Sequence, residues 1–170
     1  MGELKTRRRF IKGALAAGAA VSASGALTHE SGALAQRSEG IRSFDHVAAP
    51  IRNTEATVSF YRALGLKVNE GPRVCSIHFG DQTINFHLPV LWQRETFTLR
   101  APAAQPPCGD FCFMWEGSME SLKATLDRAR AEVIEGPAER AGGRDGGTVR
   151  GTSLYVRDPD GNLLEFMIYS

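Results

Sequence analysis

One layout of strands and turn occurs twice in this sequence. Residues 158–161, Asp-Pro-Asp-Gly, predict a hairpin turn between two strand-like runs, and Glu165 lies in the second run. Earlier in the chain, residues 80–81 separate two similar runs, and Asn85 and His87 lie in the run that follows. A unit used twice predicts a fold with two related halves, because neither copy alone is large enough to be a fully independent domain.

The first copy has the order strand, helix, strand, strand, strand. Alternating side chains predict the first strand at 41–49. The helix begins near Asn53 or Thr54, either of which can cap its free amides, and ends at Gly65, a residue that favours a left-handed terminus. Three further strands are predicted at 66–68, 74–79 and 82–88.

The second copy repeats this order after a linker. Residues 89–107 contain four prolines, which cannot lie inside a central strand or helix, and are predicted to be a linker. A strand at 110–115 and a helix capped by Ser118 follow. The remaining elements are a strand at 132–135, a loop rich in glycine and arginine at 136–151, and a hairpin at 153–157 and 162–169.

The chain is therefore predicted to have an α+β fold of two tandem βαβββ modules, at 41–90 and 108–170, that pack as one pseudo-symmetric domain at 36–170. Alternate side chains of a strand point to opposite faces. Five side chains are predicted to share one face of the strands, Asn85, His87, Leu163, Glu165 and Met167, while Ile84, Phe86, Leu164 and Phe166 lie on the other face.

Composition narrows the class of protein. The chain has 170 residues, 42% of them hydrophobic, and a net charge of +1, which fits one compact domain and gives no electrostatic reason to expect a nucleic-acid partner. The three cysteines cannot form a disulfide scaffold. Cys75 and Cys112 are predicted to be small core residues.

The first 35 residues are predicted to be a targeting segment. Residues 6–12, with the sequence Thr-Arg-Arg-Arg-Phe-Ile-Lys, precede a weakly apolar run and resemble a twin-arginine export signal, and residues 33–35, Ala-Leu-Ala, supply a cleavage site. The twin-arginine translocase is then a partner during export, and the mature protein is periplasmic or secreted. The alternative is a basic helix lying on a membrane surface.

Several motifs resemble those of the vicinal oxygen chelate superfamily, the group of glyoxalases, bleomycin-resistance proteins and extradiol dioxygenases, and in particular its glyoxalase domain-containing subgroup. The resemblance covers nearly all of residues 36–170 and is more specific for the fold than for the reaction. The residues that carry it are Phe44-Asp45-His46-Val47, Ser59-Phe60-Tyr61, Leu64-Gly65-Leu66, Phe79-Gly80-Asp81-Gln82 and residues 158–165.

The resemblance implies that the modules form one pseudo-symmetric cupped sheet, whose cup is lined by the face that carries Asn85, His87 and Glu165 while the other face packs under the helices. It also implies metal ligands on the first and last strand of each module. The matching positions are His46, Asp110 and Glu165, and either Asn85 or His87 takes the remaining one. Two imidazoles and a carboxylate suit one divalent Fe, Mn, Zn or Ni ion. The favoured ligands are His46, His87 and Glu165, with Glu165 and Asp110 as the catalytic residues.

Three functions are compatible with this pattern. The first is an exported metalloenzyme, a lyase, isomerase or ring-cleaving dioxygenase, that acts on a small oxygen-chelating substrate. The family pattern favours a histidine where this chain has Asp110, and that departure favours the second, a metal-free protein that sequesters a small aromatic or cationic compound. The third is an interaction module, and the resemblance also makes a homodimer plausible.

Two other groups are weighed as site residues. His78 has no matching partner and is predicted to be an ordinary hydrogen-bonded histidine. Arg140, Arg144 and Arg150 flank or lie within a glycine-rich loop at 142–147, which either closes over an anionic ligand or is a solvated connection. Trp115 has the parity of a core residue that faces a helix.

Overall fold

The computed structural model describes residues 40–169. The targeting segment predicted at 1–35 lies outside the described residues, so export stays a prediction. Within 40–169, none of the helices is both long enough and apolar enough to cross a membrane.

The first module contains one helix and four strands. Helix α1 begins after Asn53, whose side chain accepts a hydrogen bond from the amide of Ala56, and the backbone turns at Gly65 with a φ of +89°. These two ends confirm the predicted cap and terminator. The elements are β1 (His46–Pro50), α1 (Thr54–Ala63), β2 (Lys67–Glu70), β3 (Val74–Phe79) and β4 (Gln82–His87).

The second module repeats this order. Ser118 caps its helix by accepting a hydrogen bond from the amide of Ser121, as predicted. A short helix, α2 (Pro89–Trp92), precedes the module in the linker. The elements are β5 (Asp110–Met114), α3 (Met119–Arg128), β6 (Val133–Ala141), a 3₁₀ turn (Arg144–Gly147), β7 (Arg150–Arg157) and β8 (Leu163–Ile168).

Each module forms a four-stranded mixed sheet. The strand orders are β1-β4-β3-β2 and β5-β8-β7-β6, so the first and last strands of each module are parallel neighbours. In both sheets the first strand is an edge strand. This arrangement confirms the predicted α+β fold built from two βαβββ units.

The first strand and the linker differ from the sequence prediction. β1 begins at His46 rather than at residue 41, and the preceding Ile41 and Phe44 are exposed. The linker contains the short helix α2, which the sequence analysis did not identify. Pro89 stands at the first position of this helix, where its missing N–H leaves no hydrogen bond unmade.

The strand predicted at 132–135 is also longer than expected. β6 continues to Ala141 through Pro137, a residue that cannot donate to a sheet ladder. Its pairing with β7 shifts register between Glu135 and Ala138, so Pro137 lies in an irregular part of an edge strand. A proline at such an irregularity does not end the strand.

One apolar core unites the two modules. Ile84, Phe86, Leu164 and Phe166 are buried, which confirms the predicted inward face of β4 and β8. Trp115 packs partly against this core, in agreement with its parity. Other buried members come from α1, β3, α3 and β7, among them Val58, Tyr61, Ile77, Leu122, Leu126, Leu154 and Val156.

Candidate ligand-binding groove between the two modules

A groove of about 340 Å³ lies where the edge strands β1 and β5 approach each other. His46 and Asp110, the first residues of these strands, both line it. The structure therefore brings together the two first-strand positions singled out in the sequence. The remaining lining residues are Phe44, Asp45, Val47, Phe79, Gln82, Thr83, Ile84, Phe111, Cys112 and Phe113.

His46 is an exposed groove residue with a carboxylate neighbour. Its Nδ1 lies 2.7 Å from Oδ1 of Asp45. An exposed pair of this kind contributes little to stability because both groups are well solvated. Its main effect is to orient the imidazole at the groove.

His87 occupies the other end of β4. The strand register pairs His46 with Thr83 and Pro50 with His87. At about 3.3 Å per residue, four residues separate the two histidines by roughly 13 Å along the strands. The ring of His87 packs edge-on against Phe97 of the linker, with 5.1 Å between centroids, and burial lowers the pKa of this imidazole.

Asn85, the alternative to His87, lies between these two positions. It pairs with Ala48 on β1, and its Oδ1 accepts a hydrogen bond of 2.7 Å from Ser76 Oγ. His78 is engaged elsewhere, with Asn69 Nδ2 at 3.0 Å from its Nε2 and Thr83 Oγ1 at 3.2 Å from its Nδ1.

Glu165 lies on the cup face of β8 among hydrogen-bond donors. The hydroxyl of Ser153, a fully buried residue on β7, donates to Oε1 of Glu165 at 2.5 Å. Tyr155 and Cys112 are paired with Glu165 in the strand register. The expected compensation for a carboxylate in this sheet therefore comes from the Ser153 hydroxyl, and two further neutral donors, Tyr155 and Cys112, lie on the neighbouring strands.

The pKa shifts of two of these donors follow from the arrangement. Burial, and then the charge of Glu165, raises the pKa of the Cys112 thiol to about 12. Burial is also the largest cause that raises the pKa of Tyr155, followed by its hydrogen bond to Glu165. Both groups keep their protons at neutral pH, so Cys112 is a thiol and not a thiolate nucleophile.

The prediction that Cys112 is a core residue is wrong, whereas Cys75 is buried as predicted. Phe111 and Phe113 take the core-side parity of β5, which leaves Cys112 on the cup side opposite Glu165. Its apolar character suggested the core, but its place between two phenylalanines in a strand indicates the other face.

Sequence reasoning did not identify Ser153 and Tyr155 as site residues. They lie two residues apart on β7, where Ser153 pairs with Met167 and Tyr155 with Glu165 of β8. The hairpin predicted from residues 158–161 and the period of two along its strands contain the signal that could have found them.

Arg140 adds a cation near this cluster. Its guanidinium lies over the ring of Tyr155, at 5.6 Å from the centroid, and forms an ion pair with Glu135. Arg150 pairs in the same way with Glu139. Arg144 stacks on Tyr169 at 4.0 Å, so the three arginines contact side chains of their own module.

The donor positions do not fit a metal site. Ligands of one transition-metal ion lie about 2.0–2.3 Å from it, which requires their donor atoms to converge. His46 and His87 lie at opposite ends of the paired strands β1 and β4, and nowhere between residues 40 and 169 do three His, Cys, Asp or Glu side chains converge in this way. The set of His46, His87 and Glu165 as metal ligands therefore stays a prediction.

Comparison with known proteins agrees with the fold. The sequence profile of the Glyoxalase/Bleomycin resistance protein/Dioxygenase superfamily matches residues 43–166. The chain is 34% identical to glyoxalase domain-containing protein RDO1 of Mycosarcoma maydis, over 79% of this chain and 72% of that protein. It is also 30% identical to virulence protein STM3117 of Salmonella typhimurium, over 74% and 83% of the two chains.

Solved structures show the same architecture. An integron cassette protein from the mobile metagenome of V. cholerae superposes with a TM-score of 0.66 at 31% identity, over 77% of this chain and 98% of that one. Two four-stranded sheets of the same strand order and the sequence match together lead to one conclusion. The chain belongs to the glyoxalase, bleomycin resistance protein and dioxygenase superfamily.

Proposed function

We propose that the protein binds a small amphipathic molecule, with an apolar body and an amine or hydroxyl donor, in the groove between β1 and β5. The observation that carries this proposal is the combination of acidic and aromatic lining. Asp45 and Asp110 line the groove beside Phe44 and Phe111. A groove of this composition favours a donor group over an anion, and aromatic faces add to the attraction for an organic cation.

Glu165 extends this site beyond the groove wall. Cys112 lines the groove and is the cross-strand neighbour of Glu165. An ionised carboxylate has about four lone-pair directions, so it can accept a ligand donor in addition to its neighbours or in place of the weak thiol donor. The proposed role of Glu165 is to accept a hydrogen bond from the ligand, with Ser153 and Tyr155 holding the carboxylate in place.

Three ligands of one shape test the charge preference. We expect benzylamine to bind more tightly than benzyl alcohol, and benzoate to bind weakest, in isothermal titration calorimetry at low salt with a chelator present. The substitution Asp110→Asn should weaken benzylamine binding about threefold to tenfold, because it removes one facing charge. Asp127→Asn is the matched control, since Asp127 is exposed on α3 and is not part of the groove lining. Equal affinities for the three ligands, or equal effects of the two variants, would contradict the proposal.

A metal-dependent lyase, isomerase or ring-cleaving dioxygenase is the second candidate. His46 and Asp110 favour it, because they share the groove and occupy first-strand positions in the two modules. The separation of His46 from His87 argues against the favoured ligand set. Metal content of the purified protein decides between the candidates. Binding of about one Fe, Mn, Zn or Ni ion, lost in both His46→Ala and Glu165→Gln, would replace the metal-free proposal.

We also propose that the protein acts in the periplasm or outside the cell. The arginine-containing segment at 6–12 and the Ala-Leu-Ala sequence at 33–35 support this location. Changing Arg7 and Arg8 together to lysine should leave the protein in the cytoplasm of a bacterial host. Fractionation and immunoblotting measure this, and an unchanged periplasmic yield would overturn the proposed route.

A further inference from the structure

The two modules meet at two junctions, and these junctions can be compared residue by residue. The amide of Ile51 donates to the carbonyl of His87 at 3.0 Å, as that of Trp115 does to Met167 at 2.8 Å. In the same way, Thr83 donates to Asp45 at 3.2 Å and Leu163 to Gly109 at 3.0 Å. These bonds fix which positions correspond.

The first junction, between the start of α1 and the turn at 158–162, is closed by side chains. Asp160 accepts hydrogen bonds from the amides of Arg52 and Asn53, at 2.9 and 3.3 Å. Tyr61 donates to Asp158 at 3.1 Å. The carboxylates of Asp158 and Asp160 are buried by these contacts.

The second junction, between the segment before α3 and the turn at 79–82, has no such filling. This turn has four residues between the pair His78 and Thr83, one fewer than the five between Arg157 and Leu163. Gly80 has no side chain, and Asp81 is exposed. A cavity of about 550 Å³ lies here, which we call the junction cavity.

The walls of the junction cavity are largely apolar and aromatic. The rings of Phe79 and Phe113 meet edge to face at 5.4 Å, and those of Trp115 and Phe166 at 6.5 Å. The indole N–H of Trp115 already donates to Ser121 Oγ at 3.1 Å. The remaining lining residues are Leu64, Leu66, Gly80, Gln82, Cys112, Met114 and Glu116.

We infer that the junction cavity is a second ligand site, which takes an uncharged aromatic compound. It shares Phe79, Gln82, Cys112 and Phe113 with the groove, but Leu64 and Phe166 extend its wall to the core side of the sheets. The aromatic ring of a ligand can form with these wall residues the same edge-to-face contacts that they form with one another. The exposed carboxylate of Glu116 disfavours an anion, and the cavity offers no basic side chain to bind one.

A pair of dyes that differ by one sulfonate tests the site. Phenylnaphthylamine is neutral and fluoresces in apolar sites, and anilinonaphthalenesulfonate is its anionic relative. We expect saturable binding of the neutral dye, at least about tenfold tighter than binding of the sulfonate. Energy transfer from tryptophan to the dye should decrease more in Trp115→Phe than in Trp92→Phe, because Trp115 lines the cavity and Trp92 donates to Ile51 O elsewhere.

Two substitutions separate this site from the groove. Leu66→Trp fills the cavity and should weaken dye binding at least about tenfold, while Leu99→Trp, at an exposed linker position, should not. Asp110→Asn, which affects the groove, should leave dye binding unchanged. Equal binding of both dyes, a decrease in transfer that is no larger in Trp115→Phe than in Trp92→Phe, or dye binding lost in Asp110→Asn would overturn the inference. If Leu66→Trp does not fold, the two tryptophan variants still decide it.

Discussion

The two module junctions show that a repeated unit need not pack in the same way twice. The closed junction buries Asp158, Asp160 and Asn162 in one hydrogen-bonded turn. The second junction, between the turn at 79–82 and the segment before α3, is open. Its turn has Gly80 between Phe79 and Gln82, and these residues line the junction cavity. The turn at 158–162 is one residue longer than the turn at 79–82 and carries three buried polar side chains. These two differences decide which junction is filled.

The free energy of unfolding should differ most between alanine variants of Asn162 and Gln82. These two positions correspond, because they precede the corresponding residues Leu163 and Thr83. Asn162 is fully buried, accepts from the amides of Cys108 and Gly109 and donates to Asp158. Its replacement by Ala leaves these groups unpaired and should lower the free energy of unfolding by about 3 kcal/mol.

Gln82→Ala is the matched control. Gln82 is exposed, so its loss should change the free energy of unfolding by less than about 0.5 kcal/mol. Urea denaturation followed by circular dichroism measures both values. Similar losses for the two variants would show that the junctions are held in the same way.

The difference between the junctions was only partly readable from the sequence. Residues 158–161 predict a turn, and the strand parity placed Glu165 correctly on the cup face. That Asp158 and Asp160 would be buried against α1 could not be predicted, because the contact joins residues about a hundred positions apart. Local patterns specify elements, whereas long-range contacts depend on how the elements pack.

In the candidate site, too, local patterns predicted some features and long-range packing decided the others. His46 and Asp110 reach one groove because each begins the edge strand of its module, a position that the repeat itself indicates. The distance between His46 and His87 was not evident, since both share a face of the sheet and only the register of β1 with β4 separates them. Parity determines the face of a side chain but not its position along the strand.

A second prediction concerns Tyr61, whose counterpart in α3 is the hydroxyl-free Leu126. Tyr61→Phe removes the hydrogen bond to Asp158 and should cost about 1–2 kcal/mol at pH 7. Burial, and then the charge of Asp158, raises the pKa of Tyr61 well above its ordinary value. The stabilising contribution of the retained proton is therefore complete below about pH 10 and decreases as the pH rises above it, because the unfolded chain ionises first.

The pH dependence separates this effect from simple packing. Wild-type stability should fall more steeply between about pH 9.5 and 11 than that of Tyr61→Phe, as measured by urea denaturation at each pH. Parallel curves for the two proteins would show that the proton on Tyr61 is not held by the closed junction.

The smallest loss of stability should come from removing a helix cap, and it should be the same in both modules. Asn53 and Ser118 each cap a helix through one side-chain hydrogen bond, at 3.0 and 3.2 Å, although α1 begins at the closed junction and α3 at the open one. Replacing either by Ala should cost about 1 kcal/mol, because the side chain serves only the local amide while the Asp160 contacts use the Asn53 backbone. Thermal unfolding of the two variants measures the costs. A loss at Asn53 much larger than that at Ser118 would mean that the closed junction depends on the cap, and that the difference between the junctions extends into the helices themselves.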